Sequence, residues 1–228
     1  MKKGIVFLIT TLTAVFANAH NVWIEPVDSA KHEYVVKFGH QETEGYPAKK
    51  LEEVAAVDSS GAIKPVAVTF SQQHEAHFTL ATGDIVFLKF NNGVWSKLPN
   101  GRYVEKTKAE EPTAVLSMNP VKYGKAILNW GEQAFKPHQQ PYELVPLEQP
   151  KAGKPVSILV LHQGKPVAGI KVGEGEDKPF NLTNEKGIAT FQVKAGENRI
   201  WAEFDEKVDN NADYDSRSIE YLLTFNVK

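Results

Sequence analysis

Between residues 22 and 227 the chain is divided into short alternating or apolar runs by turn residues spaced about 8 to 12 positions apart, and no long helical periodicity is present. Successive side chains of a strand point to opposite faces, so runs of this length bury one face when they pair. The pattern predicts an all-β protein. Expected strands begin at residues 22–25, 34–38 and 54–57, and the turn Asp58-Ser59-Ser60-Gly61 hands the last of these to 66–70 as a hairpin. Residues 77–80 and 85–90 are expected to form the next pair through Thr82-Gly83-Asp84. The charged stretch 96–113 reads as a surface loop with at most one edge strand, after which 114–118 and 123–128 resume the apolar pattern.

Pro137, Pro141, Pro146 and Pro150 then interrupt every regular element except a short strand at 142–145. A domain boundary is therefore expected near Gln149. Runs at 156–161, 167–172, 189–193, 199–204 and 221–227 suit an immunoglobulin-like or prealbumin-like sandwich. The expected organisation is a signal peptide at 1–19, an N-terminal metal-binding β-sandwich at 20–148 and a C-terminal sandwich at 149–228.

The leader follows from Lys2 and Lys3, an apolar stretch over 5–16 too short to span a bilayer, and the small-x-small pair Ala17 and Ala19. Cleavage is expected before His20, with a rival cut before Asn18. The product would be exported to the periplasm. Removing 19 of 228 residues leaves 209, and losing Lys2 and Lys3 moves the formal charge from −2 to −4. That balance disfavours a nucleic-acid partner. The chain has no cysteine, which excludes disulfides, a thiolate metal site and a lipid-modified cysteine at the cut. No second apolar run has membrane-spanning length, so a transport role would require a separate membrane partner.

A cut before His20 leaves a residue with two donors. In short peptides an α-amine loses its proton at roughly 7.7 to 8.0 and an imidazole at about 6.5, so a divalent metal can displace the amine proton near neutrality and close a chelate ring. His40 is the expected second ligand. It sits where the second strand exits, after Gly39 and just ahead of Glu42 and Glu44. His74-Glu75-Ala76-His77 is one residue short of His-Glu-x-x-His, and i and i+3 point to opposite sides of a strand, so it reads as a polar hairpin shoulder. His138 is an outer candidate for a fourth ligand, while His32 and His162 read as solvated.

Nitrogen and carboxylate donors without sulfur suit Ni(II), Co(II), Cu(II) or Zn(II), and affinity alone would favour copper. The acidic residues Asp205, Glu206, Asp209, Asp213 and Asp215 lack the glycine and terminal glutamate of a calcium loop. No phosphate-binding glycine loop, Gly-x-Ser-x-Gly elbow or catalytic cysteine is present, so a binding protein is expected rather than an enzyme.

The start His20-Asn21-Val22-Trp23-Ile24-Glu25-Pro26, with Phe38-Gly39-His40 leading to Glu44-Gly45-Tyr46-Pro47, resembles the periplasmic proteins of the NikM-like group, a domain family found with nickel and cobalt energy-coupling-factor transporters. Val121-Lys122-Tyr123-Gly124-Lys125-Ala126, Tyr142-Glu143-Leu144-Val145-Pro146, Gly164-Lys165-Pro166-Val167-Ala168-Gly169 and Asn184-Glu185-Lys186-Gly187 look like later landmarks of that family. The resemblance implies an accessory protein that carries Ni(II) or Co(II) to a membrane transporter subunit, with His20 and His40 as the ligands that carry over. Two other readings stand beside it: a copper histidine-brace protein or oxygenase, and a structural or adhesive β-sandwich without metal.

Overall fold

The computed structural model describes residues 20–40, 42–176 and 178–228, and the expected signal peptide lies outside the described residues. In chain order the strands are β1 (Asn21–Asp28), β2 (Glu33–Gly39), β3 (Leu51–Val57), β4 (Ile63–Pro65), β5 (Thr69–Phe70), β6 (Ala76–Thr79), β7 (Ile85–Asn91), β8 (Trp95–Lys97) and β9 (Tyr103–Glu105). They continue as β10 (Leu116–Ile127), β11 (Tyr142–Pro146), β12 (Pro155–His162), β13 (Lys165–Pro166), β14 (Lys171–Gly173), β15 (Phe180–Leu182), β16 (Ile188–Gln192), β17 (Gly196–Lys207) and β18 (Ser216–Val227). Among the described residues the only helical segments are short 3-10 turns at Ala48–Lys50 and Glu132–Phe135. The all-β expectation holds, and no helix among the described residues is long and apolar enough to cross a membrane.

Three sheets form. The first has the order β1-β2-β6-β5, and the second, of ten strands, runs β15-β14-β17-β18-β10-β7-β3-β4 with β8 and β9 added beside β10. In the third, β12 pairs with β11, β13 and β16. Strand alternation shows how they stack. On β7, Ile85 and Phe87 enter the core that contains Leu144 and Ile158 of the third sheet, while Val86, Leu88 and Phe90 enter the core that contains Val22, Val36 and Phe78 of the first. On β18, Ile219, Tyr221, Leu223 and Phe225 face the third sheet, whereas Leu222 meets Trp201 and Trp23 of β1. The ten-stranded sheet is thus the middle layer, buried on both faces by sandwiches that share it.

The shared layer is joined by β10 and β18, which run parallel in register from Met118↔Ser216 to Ile127↔Phe225. Residues 20–148 supply β3, β4 and β7 to β10 of this sheet, and 149–228 supply β14, β15, β17 and β18. Gln149 lies in the connection between β11 and β12, which pair antiparallel from Tyr142↔His162 to Pro146↔Ile158.

Several local expectations change in the assembled sheets. The partner of β3 on its outer side is β4, with Val66 N–H still donating to Val54 O at 2.8 Å just beyond it; Thr69–Phe70 then crosses to the first sheet and pairs with β6. Residues 76–79 and 85–91 are strands but not a hairpin, since β6 and β7 line one core from opposite layers. The 96–113 stretch carries part of a two-strand ribbon, β8 with β9. Residues 114–118 and 123–128 merge into β10, where Pro120 stands at the break between its β8 and β7 ladders. Of the expected run at 167–172, only Lys171 and Val172 are strand, within β14, and 167–170 connect β13 to it.

Candidate metal centre

The ladder between β1 and β2 ends at Asn21↔Gly39, so the next positions outward on the two strands are His20 and His40. Alternation puts His20 on the face of Val22 and Ile24, at the open end of the inner column. Its ring stacks on Phe38 at 4.9 Å and 17°, and Phe38 stacks in turn on Phe90 at 4.9 Å. His20 Nε2 lies 3.1 Å from Glu44 Oε1. His40 occupies the exposed bend that follows β2.

Glu44 is held by the way the chain turns back. Its N–H donates to Phe38 O at 2.8 Å, and Gly39 forms a bridge with Thr43. Gly39 has φ +152°, and a Cβ there would fall 2.1 Å from Glu42 O, so a side chain at this position would force the turn open. Two residues on, Tyr46 is buried; its hydroxyl donates to Val36 O at 3.0 Å and accepts from Ala76 N at 3.1 Å. Burial pushes the Tyr46 phenol up to about 12, which keeps it a donor. Gly45 fits against the 73–74 turn, where a Cβ would meet Gln73 O at 2.4 Å.

The other histidines go elsewhere. His74 gives its carbonyl to Tyr46 N at 3.0 Å, Glu75 pairs with Lys37 at 2.8 Å, and His77 lies opposite Val35, further along the sheet. His32 follows β1 at the opposite end of the hairpin, and the His162 ring is stacked on Tyr142. Among the described residues, no three His, Cys, Asp or Glu side chains are grouped so as to hold a metal ion. The structure brings His20 and Glu44 together, while His40 lies on the exposed bend just beyond Gly39. Glu44 is the residue that sequence reasoning left in the background, since only the turn at Gly39 reveals which of the two nearby glutamates returns to His20.

His138 is buried in another polar cluster. Its N–H donates to both carboxylate oxygens of Glu143, at 3.0 and 2.8 Å, and Glu143 Oε1 is 3.8 Å from Lys125 Nζ. Among the described residues, Lys125 Nζ, both His138 ring nitrogens and Tyr221 OH meet no hydrogen-bond partner, although His138 Nδ1 lies 3.4 Å from Glu143 Oε1. Burial pushes the Lys125 amine down to about 8, against the opposing attraction of Glu143. The unfolded chain keeps that proton to about 10.4, so between these values it holds more protons than the native state and stability increases with pH. The urea midpoint of the wild type is expected to rise between about pH 8 and pH 9, below the range in which tyrosines that burial keeps protonated in the native state, Tyr46 among them, ionise in the unfolded chain and oppose the slope. Lys125→Met should lose this slope; a wild-type midpoint that falls over the interval would contradict the burial of a charged amine.

The architecture and this edge define an all-β protein of stacked sandwiches with a histidine–carboxylate pair at the entry to its first sheet. The chain belongs to the family described as a domain of unknown function (DUF4198), which matches residues 17–204 and so includes His20, His40 and Glu44. It is 58% identical over 228 residues to a protein of Haemophilus influenzae described as uncharacterized, a match covering 100% of this chain and 99% of the relative. No solved structure matches it.

Proposed function

We propose that the processed chain, beginning at His20, is a periplasmic accessory protein that binds Ni(II) or Co(II) through His20 and His40 and supports delivery to a membrane uptake transporter. The observation carrying this reading is the β1–β2 register, which brings the expected chelating residue and the expected second ligand to adjoining strand ends. The α-amine and imidazole of His20 would form the anchor, with the imidazole of His40 as the next donor. Nitrogen-rich coordination without sulfur is compatible with either metal, and the sequence resemblance to NikM-like proteins favours nickel or cobalt as cargo.

Isothermal titration of protein starting at His20 is expected to show one Ni(II) or Co(II) per chain, with Cu(II) and Zn(II) titrated alongside. His20→Ala should weaken binding by about 100-fold or more, because the imidazole is lost and the α-amine that remains can no longer close a chelate ring. One additional residue before His20 should weaken it as well, by moving the amine away from the imidazole. Unchanged affinity in both variants would remove the anchor, and no binding of any of the four metals would return the protein to the structural reading.

A further inference from the structure

We infer that Asn100 is a site of self-modification, converted through a cyclic imide with Gly101 to aspartate and isoaspartate, while the fold keeps Asn92, which is also followed by glycine, from the same reaction. The inference is independent of metal binding. Asparagine stands before glycine at Asn92-Gly93 and at Asn100-Gly101. In both, the absence of a side chain on the second residue leaves its backbone nitrogen open to the asparagine amide. That nitrogen attacks Cγ; the N–Cγ bond forms, the Cγ–Nδ2 bond breaks, and ammonia leaves with the proton given up by the backbone N–H. Solvent water then opens the ring at either carbonyl, and no oxidant or reductant is needed. The two dipeptides are identical, so their surroundings decide which of them reacts.

Asn100 stands at the tip of the β8–β9 ribbon. Leu98 N–H donates to Arg102 O at 2.8 Å, Gly101 N–H donates to Leu98 O at 2.9 Å, and Gly101 closes the turn with φ +86°. Asn100, Gly101 and Arg102 are all exposed. Asn100 Oδ1 accepts from Arg102 N–H at 3.0 Å, which curls the side chain back over the Gly101 peptide and draws electron density from Cγ. Nothing lies within 4 Å of the place a Gly101 Cβ would occupy, so the imide has room to close once the Gly101 N–H leaves Leu98 O.

Asn92 is held in the opposite way. Its Oδ1 accepts from Lys50 Nζ at 3.1 Å, a contact across 42 positions that directs the side chain away from its own glycine. The Asn92 N–H donates to Pro120 O at 2.9 Å, and its carbonyl accepts from the Trp95 indole at 3.0 Å. Gly93 N–H is taken by Asn91 Oδ1 at 3.1 Å. Asn91, the one side chain curled over this segment, is followed by asparagine rather than glycine and is bonded to Asn119 at 2.7 Å and Glu52 at 3.0 Å.

The folded protein would be incubated in mildly alkaline buffer, sampled over time, digested with trypsin and weighed by mass spectrometry, with a zero-time sample to count conversion during digestion. Cleavage after Lys89, Lys97 and Arg102 puts the two sites on separate peptides, 90–97 and 98–102. The 98–102 peptide should gain about 1 Da as the amide becomes a carboxyl, and should accept methyl groups from an isoaspartyl methyltransferase. Its conversion should be about 10-fold or more faster than that of 90–97, because additional hydrogen bonds must open before Asn92 can reach its glycine. In urea both peptides should convert. Asn100→Gln should suppress the change at 98–102, since the longer side chain closes the ring poorly. Equal conversion of the two peptides in the folded protein, faster conversion of 90–97, or an unchanged 98–102 peptide would each overturn the inference. A 90–97 peptide that resists conversion even in urea would do so as well, by placing its resistance in the local sequence rather than in the fold.

Discussion

Glu143→Leu is expected to destabilise the protein by about 3–5 kcal/mol, because it removes one partner of a buried ion pair and leaves the other charge in the core. The Lys125 and Glu143 side chains are 0% and 1% exposed. Their separation of 3.8 Å is too long for a good hydrogen bond, and Lys125 Nζ also lies over the Phe87 face, 5.7 Å away. Glu143 also accepts both bonds from the His138 N–H, so leucine would leave that backbone donor without its acceptor. The double variant Lys125→Met with Glu143→Leu should recover much of the loss, since well-packed apolar groups often replace a buried pair at little cost. Urea denaturation of the two single variants and the double variant would measure this coupling. A single-variant loss below about 1 kcal/mol would show that water or rearrangement already relieves the buried charge.

Separating the chain at the expected boundary should have a still more disruptive effect. A fragment of residues 20–148 keeps β10 but loses β18, its parallel neighbour from Met118 to Ile127, and keeps β11 while losing β12. Val57, Ile85, Phe87, Val121, Ile127 and Leu144 would then lose the opposing apolar groups supplied from beyond residue 149. The result would be an open sheet edge beside uncovered core, a combination that promotes association. The 20–148 and 149–228 fragments, produced separately, are each expected to lack a cooperative unfolding transition, whereas the intact 20–228 chain should show one. Calorimetry and size-exclusion chromatography would test this. Two independently folded, monomeric fragments would establish that each half can stabilise its own part of the shared sheet.

Much of the local structure was visible in the residue pattern. The runs around Val22, Val36, Val86, Ile158 and Leu223 all become strands because alternating side chains can bury one face, or both faces in a middle layer. The position of His40 at a strand exit was also legible, since Gly39 permits the positive φ from which the chain turns. The short strand β15 escaped notice because its three residues are exposed and carry no buried period. Glu44 could be named as a nearby acid, but its contact with His20 spans 24 positions and depends on where Tyr46 anchors the turn.

By itself the sequence determined the all-β class, most strand positions and the presence of histidines that could supply metal donors, because backbone sterics, alternation and side-chain chemistry act locally. Only the tertiary structure decided that β10 and β18 join the two sandwiches, that Lys125 meets Glu143, and that Glu44 meets His20. Apolar runs of similar length present nearly interchangeable surfaces to one another in a linear sequence. The choice among them is made when all the strands compete to bury those surfaces and satisfy their backbone hydrogen bonds together.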